Sequence, residues 1–176
     1  MKPRLINAHM ATARNYAELS YAQRLHVGAI VVKDDRIISI GYNGMPAGWD
    51  NNCEDKEYMS GDAGGRLNPL EIYEQWPFEE TIEVATNNEV FETTNRYRLK
   101  TKPEVLHAER NALDKLAKGN EGGMGSTMFI THAPCLECSK SIYGAGITQV
   151  YYGEDYRSTD GIDFLTKCGV NIEKIE

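Results

Sequence analysis

The chain has 176 residues, enough for one domain with a core of its own and too few for two ordinary ones. Nineteen Lys and Arg against 26 Asp and Glu leave a formal charge of −7, which excludes a chain whose main task is to grip a polyanionic duplex but leaves room for a small phosphorylated ligand. No apolar run approaches the ~18 residues of a membrane span, and Met1–His9 lacks an apolar signal core, so a soluble, cytoplasmic protein with no membrane or nucleic-acid partner is expected.

In chain order, Leu5, Ile6, Met10, Ala13, Ala17 and Tyr21 recur at spacings of three and four, and predict an amphipathic helix over Lys2–Tyr21. Two β-branched runs, Val27–Val32 and Ile37–Tyr42, flank Lys33-Asp34-Asp35-Arg36 and read as a hairpin. Asn43–Gly48 is loop by its Gly and Pro density. From about Trp49 to Thr101 the chain is acidic and shows neither period. It reads as a long irregular insertion, placed at about residues 54–103, without a core of its own. Within it, residues 68–76 could start a short helix, and Asn87–Arg98 could be a second hairpin or a turn.

From Glu104 the pattern sharpens. Val105, Ala108, Ala112, Leu113 and Leu116 lie at helical spacing before the helix-stop residue Gly119. Ser126–Thr131 reads as a buried strand, and Pro134–Tyr143 as a helix with Pro in its first turn. Thr148–Tyr152 is a further strand, Asp160–Cys168 a further helix and Val170–Ile172 a candidate last strand. The alternation predicts an α/β fold with crossover connections.

Four cysteines invite a disulfide reading, but their placement argues against one. Cys53 and Cys168 stand alone and default to small buried hydrophobes. Cys135 and Cys138 form a C-x-x-C pair, a metal or redox candidate among reduced thiols. His107, Ala108 and Glu109 precede that pair by one predicted strand. An imidazole and two thiolates make a first shell for Zn²⁺ with the fourth position open, which is the catalytic arrangement. A water there becomes acidic enough to act as hydroxide near neutral pH. Glu109, two residues past the imidazole, is placed to move that water's protons without binding the metal. A helix N-terminus at Cys135 would favour thiolate over thiol.

The order H-x-E then P-C-x-x-C resembles the signature of the zinc nucleobase deaminases. The sequence resembles the cytidine deaminase superfamily and, more closely, its deoxycytidylate (dCMP) deaminases. The closer match rests on Arg24-Leu25-His26-Val27-Gly28-Ala29, Gly41–Gly48, His107–Ala112, Thr131–Cys135 and Tyr151–Arg157. It covers most of residues 1–53 and 104–170, and leaves the insertion outside. The resemblance implies a three-layer fold, with a mixed central sheet of about five strands flanked by helices, in one domain over residues 1–176. It implies zinc on His107, Cys135 and Cys138, with Glu109 as the proton shuttle. It implies hydrolysis of dCMP to dUMP, which would supply thymidylate synthesis.

Substrate contacts implied are Arg24 for the phosphate, Asn43 for base and sugar, Ala108, Thr131 and Pro134 around the base, and Tyr156 with Arg157 closing over the nucleotide. A homohexamer is implied, activated by dCTP with Mg²⁺ and inhibited by dTTP, with Asn43, Gly44, Met45, Pro46 and Gly48 in the regulatory loop. Simpler readings stand beside these: a turn for Asn43-Gly44, a solvated side chain for Arg24 and core packing for Tyr156. His9, His26 and His132 read as ordinary, with His132 the best placed for a second role. Some relatives carry extra Cys and His for a second, structural zinc. Here Ala22 stands where a cysteine often does, and no His lies between His26 and His107, so one zinc is expected. Free cytidine or deoxycytidine, a riboflavin precursor or tRNA adenosine are alternative substrates, and a non-catalytic zinc module is the alternative class. The net charge speaks against the tRNA substrate, and an unemployed Glu109 against the module.

Overall fold

The computed structural model describes residues 1–58, 78–86 and 89–175. The N-terminal apolar ladder folds as helix α1 (Pro3–Ala17), with proline at the first helical position and His9, Met10, Ala13 and Ala17 buried. It stops four residues short of Tyr21, which is 64% exposed and has no surface to cover. Leu19 and Ser20 close the last turn on the carbonyls of Tyr16 and Ala17, and the Ser20 hydroxyl then donates to the carbonyl of Asn43 at 2.9 Å.

The expected hairpin is formed by β1 (Gly28–Lys33) and β2 (Arg36–Tyr42). Its two central residues, Asp34 and Asp35, have φ of 50° and 56°, the left-handed pair that matches the twist of a two-residue hairpin. Asp tolerates that region because its short polar side chain bonds locally. Further strands are β6 (Thr127–His132), β7 (Gln149–Glu154) and β8 (Asn171–Lys174). They complete a five-stranded mixed sheet in the order β2-β1-β6-β7-β8, antiparallel on the β2-β1-β6 side and parallel along β6-β7-β8. The parallel steps are crossed by helices α3 (Leu136–Gly144) and α4 (Asp160–Lys167), as parallel neighbours require.

Both faces of this sheet are covered, which is why β1 reads as a continuous apolar run rather than an alternating one. Ala29, Val31, Met128, Ile130 and Val150 point to one side. There they pack with Ala112, Leu113 and Leu116 of helix α2 (Ala108–Ala117), Ile142 of α3 and Leu165 of α4. Ile30, Val32, Phe129 and Tyr151 point to the other, against Met10 and Ala13 of α1. Full burial of such side chains is worth about 1.5–3 kcal/mol each. The three layers are α1, the sheet, and α2 with α3 and α4.

The described parts of the inserted stretch form a second, three-stranded antiparallel sheet of β3 (Glu54–Tyr58), β4 (Phe78–Thr86) and β5 (Glu89–Thr101), in the order β3-β5-β4. Asn87–Arg98, expected as a hairpin or a turn in itself, instead falls almost wholly in the single strand β5, whose hairpin partner β4 lies upstream of that range; residues 87–88 between them lie outside the described set. The helix expected at 68–76 also lies outside the described residues. Many neighbours on this sheet are ionic: Arg96 with Glu79 at 3.0 Å, Lys56 with Glu80, and Arg98 with Glu57. One aromatic row crosses it, Tyr58, Tyr97 and Phe78, with ring centroids 5.8 and 5.6 Å apart. At the foot of the sheet Glu54 and Leu99 are buried, beside a small cluster of Ala22, Cys53 and Val105 with Met45 against it. Cys168, expected as a buried hydrophobe, is instead a half-buried residue capping α4. No helix among the described residues is long and apolar enough to cross a membrane.

Candidate active site

Helix α2 begins at Ala108 rather than near Glu104, because Val105 is drawn into the Ala22–Cys53 cluster and only mimics the helical spacing. This makes His107 the N-cap, with φ −68° and ψ 153°. Cys135 is likewise the N-cap of α3, at φ −70° and ψ 166°. Pro134 therefore precedes the cap instead of occupying the first turn. Neither His107 nor Cys135 spends its side chain on capping. Both are free to converge, and Cys138 joins them from the first turn of α3. The His107 Nδ1 lies 3.6 Å from the Cys135 Sγ and 3.4 Å from the Cys138 Sγ, and the three ligand atoms are all within 4.8 Å of one another. Zn–S bonds of about 2.3 Å and a Zn–N bond of about 2.05 Å at the tetrahedral angle place N and S about 3.55 Å apart. The donor set and its spacing fit zinc, with three protein ligands.

The electrostatics agree with that fit. A hydrogen bond from Cys138 pulls the Cys135 thiol down to about 3 against burial, and His107 assists. Cys138 is pushed up, first by sharing that proton with Cys135 and then by burial. Two thiols this close hold one negative charge until a cation neutralises the second. The hydrogen bond with Cys135 raises His107, again against burial. Glu109, on the first turn of α2, is only 4% exposed. Burial raises its carboxyl, while its own backbone N–H and His107 oppose the shift. A carboxyl held nearer neutrality both accepts and returns a proton readily.

Helix α2 is clamped where it carries these groups. A Cβ on Gly41 of β2 would sit 2.1 Å from the Ala108 carbonyl oxygen and 2.5 Å from the Ala112 nitrogen, so only glycine lets strand and helix approach this closely. The Ser39 hydroxyl donates to the Ala112 carbonyl at 2.6 Å, and the Asn111 amide donates to the Tyr42 carbonyl at 2.9 Å. Gly44 and Leu106 exchange two backbone hydrogen bonds, at 3.1 and 2.9 Å, immediately before His107.

A cavity of about 950 Å³ opens over this centre. His107, Ala108, Glu109 and Cys135 line it, and so do the expected Arg24, Asn43, Tyr156 and Arg157. Asn43 is fixed by its own side chain, whose Oδ1 accepts from Val27 N–H at 2.8 Å while Nδ2 donates to the Leu25 carbonyl at 2.8 Å. One N–H and one lone pair remain for a ligand. The Arg157 guanidinium lies 5.1 Å from the Tyr156 ring centre. Arg24 is depressed first by burial and then by the charge of Arg157.

Thr131 and Pro134 are not among the lining residues. The Thr131 hydroxyl instead accepts from Gly28 N–H at 3.1 Å and meets His132 Nδ1 at 3.0 Å. Gly44, Met45, Pro46 and Gly48 also lie off the cavity wall. His132 does line it, with its imidazole pushed down by burial. Among the lining residues not read as site residues from the sequence, Glu54, Lys100 and Thr101 come from the inserted sheet. Their one visible signal was the alternation of Tyr97, Leu99 and Thr101 running into the His107 segment.

Known proteins resemble this chain in sequence and fold. The family model for the cytidine and deoxycytidylate deaminase zinc-binding region matches residues 3–154. ComE operon protein 2 of Bacillus subtilis is 30% identical over 168 residues, 95% of this chain and 69% of that protein. The deoxycytidylate deaminase of Enterobacteria phage T4 is 32% identical over 152 residues, 83% of this chain and 77% of its own. The dCMP deaminase of cyanophage S-TIM5, solved in complex with dCMP and dUMP, superimposes with a TM-score of 0.72 at 38% identity, covering 99% of both chains. The family-model match spans His107, Cys135 and Cys138, the residues that could hold a metal, and the chain belongs to the cytidine and deoxycytidylate deaminase family with its zinc-binding region.

Proposed function

We propose that this protein hydrolyses dCMP to dUMP and ammonia, a supply of dUMP for thymidylate synthesis, as one domain spanning residues 1–176 with an insertion at about 54–103. The observation that carries the reading is a fully buried Glu109 beside the His107, Cys135 and Cys138 set, in a cavity that also presents Arg24 and Arg157. The dCMP and dUMP held by the S-TIM5 relative support the choice of substrate. Zinc on His107, Cys135 and Cys138 would make a coordinated water acidic near neutral pH. Glu109 takes a proton from the attacking water and passes it to N3 of the cytosine ring. It then takes the remaining proton from the new C4 hydroxyl and delivers it to the amino group, so that the C4 carbonyl forms as the C–N bond breaks and ammonia leaves. Burial of its carboxyl suits it to both directions of transfer. The free N–H and lone pair of Asn43 meet the sugar and base, while Ala108 borders the ring. Arg24 pairs with the 5′-phosphate, and Tyr156 with Arg157 covers the nucleotide.

A non-catalytic zinc module would want a fourth protein ligand and no buried acid, so the deaminase is the stronger reading. Its test is ammonia release with dCMP, deoxycytidine, cytidine and dCTP in parallel. Turnover of dCMP alone is expected, and equal turnover of cytidine refutes the nucleotide specificity.

Regulation by triphosphates in a homohexamer is part of the proposal, with dTTP inhibiting and dCTP with Mg²⁺ activating. Its support is mechanical: Asn43 touches the cavity, and the adjoining Gly44 is bonded to Leu106, next to His107. A shift of the Gly44–Gly48 loop would reach a substrate contact and a metal ligand together. Sub-ångström displacement is enough, since misplacing a positioning group by ~1 Å costs about 10²-fold in rate. Saturation curves for dCMP that neither triphosphate moves would refute it.

A further inference from the structure

The inserted sheet touches the cavity with Glu54, which opens β3, and with Lys100 and Thr101, which close β5. Glu54 and Thr101 face each other in the β3–β5 register, and both hold the same arginine. The Glu54 carboxylate, 4% exposed, accepts the backbone N–H of Gln23 at 3.1 and 3.2 Å and that of Arg24 at 3.4 Å. The Thr101 hydroxyl accepts from Arg24 Nη1 at 3.0 Å. Arg24 is thus gripped at its backbone by β3 and at its guanidinium by β5.

A second feature points to what the guanidinium is held for. Arg24 lies close enough to Arg157 for one charge to depress the other, and Lys100 lines the same cavity. Arg24 is half-buried, whereas Arg157 and Lys100 are exposed and are partly offset by carboxylates, Glu54 near Arg24 and Glu57 at 3.8 Å from Lys100. The repulsion that remains between Arg24 and Arg157 is relieved when an anion enters between them. A dianionic phosphate satisfies that condition, and a guanidinium fixed in plane meets it with paired, charge-assisted hydrogen bonds. Four rotatable bonds separate an unrestrained guanidinium from its backbone, and fixing them beforehand lowers the entropy lost on binding.

Resting on the dCMP reading, we propose that Thr101 is a positioning residue for the 5′-phosphate. Through Thr101 and Glu54 the inserted sheet, rather than the five-stranded core, sets the preference for a phosphorylated ligand. Thr101 does this by orienting Arg24, and its effect is confined to the phosphate end of the substrate.

The test compares wild type, Thr101→Val and Thr101→Ser, each checked for zinc content and melting temperature. For each, the KM and kcat for dCMP are measured, with the Ki of deoxycytidine as a competitor of dCMP turnover. Thr101→Val is nearly isosteric at a half-buried position and replaces the hydroxyl, the acceptor for Arg24 Nη1, by a methyl group. The dCMP KM should rise about tenfold with kcat and the deoxycytidine Ki within twofold of wild type. Thr101→Ser, which keeps the hydroxyl, should return KM to within twofold. An unmoved KM in Thr101→Val, an equal rise in KM and Ki, or a Thr101→Ser variant as impaired as the valine overturns the proposal. A wild-type protein that does not deaminate dCMP overturns the reading beneath it instead.

Discussion

Helix α4 reaches the metal centre through a single glycine. A Cβ built on Gly161 would lie 2.0 Å from the Pro134 carbonyl oxygen, 2.7 Å from the Ser139 Oγ and 3.0 Å from the Cys135 carbonyl carbon. The Ser139 hydroxyl rotates aside, but the Pro134–Cys135 backbone does not. Ordinary contact begins near 3.4 Å, so Gly161→Ala must open this junction by about 1.4 Å. Zinc sites hold their ligand distances to about 0.2 Å, and a shift of even a third of that opening carried into Cys135 spoils a Zn–S bond. If α4 yields instead, Leu165, now fully buried, loses packing at a cost of about 1–3 kcal/mol.

The expected outcome is a zinc affinity lowered about 10–100-fold, the usual effect of disturbing what supports a ligand. dCMP turnover per mole of protein should fall with it and recover partly in excess zinc. Competition with a chromophoric chelator, alongside circular dichroism, reads both quantities. Gly144→Ala is the control: it lies in the last turn of α3 with nothing within 4 Å of its Cβ position, and should be neutral or stabilising by up to about 1 kcal/mol. A Gly161→Ala protein with wild-type zinc affinity and melting temperature refutes the argument that α4 braces the cysteine turn.

Glu109→Gln should keep its zinc and lose about 10²–10⁴-fold in kcat, because the amide neither accepts nor returns a proton; metal analysis with dCMP kinetics checks it, and loss of zinc would make Glu109 a ligand. Deoxycytidine should show kcat/KM at least about 10²-fold below that of dCMP, since two or more hydrogen bonds to a charged phosphate are worth about 1.5–3 kcal/mol each; comparable values would move the protein to the nucleoside enzymes. After chelation, Cys135, with its thiol near 3, is thiolate from pH 5 to 8. Its alkylation by iodoacetamide should then be nearly flat across that range, and a tenfold rise per pH unit would contradict the hydrogen bonds assigned to it.

The core was legible because each element obeys one period against one layer. Residues of α1 and α2 repeat at three and four, and β1 reads as a solid apolar run because both its faces are covered. The error at the start of α2 came from Val105, which is apolar for a different reason, its place beside Ala22 and Cys53. The inserted sheet gave no comparable signal. Its described side chains pair largely through Glu57, Glu79, Glu80, Lys56, Arg96 and Arg98, and an alternation as short as Tyr97, Leu99 and Thr101 sets no clear period. The metal ligands were legible as a motif, whereas the grip on Arg24 joins residues 30 and 77 positions apart, a distance no local pattern spans.

This difference follows from how the two ends of the cavity are built. The metal end needs side chains fixed to tenths of an ångström, and it obtains them from helix starts. His107 and Cys135 occupy N-caps whose extended backbone turns the side chain away from the helix, and Glu109 and Cys138 follow two and three residues after those caps, in the first turns. Ligands placed this way stand close together in sequence, so their spacing is set by helix geometry and appears as H-x-E and C-x-x-C. The N–H groups of the same first turns also favour the negative charge that thiolate ligation brings. The end proposed to take the phosphate tolerates looser placement, because a dianion attracts cations over several ångströms. It can therefore be assembled from separate loops and strand ends, here Arg24 before β1, Lys100 and Thr101 at the end of β5, and Arg157 after β7. Groups recruited from three elements leave no fixed spacing, and only the folded chain brings them to one wall.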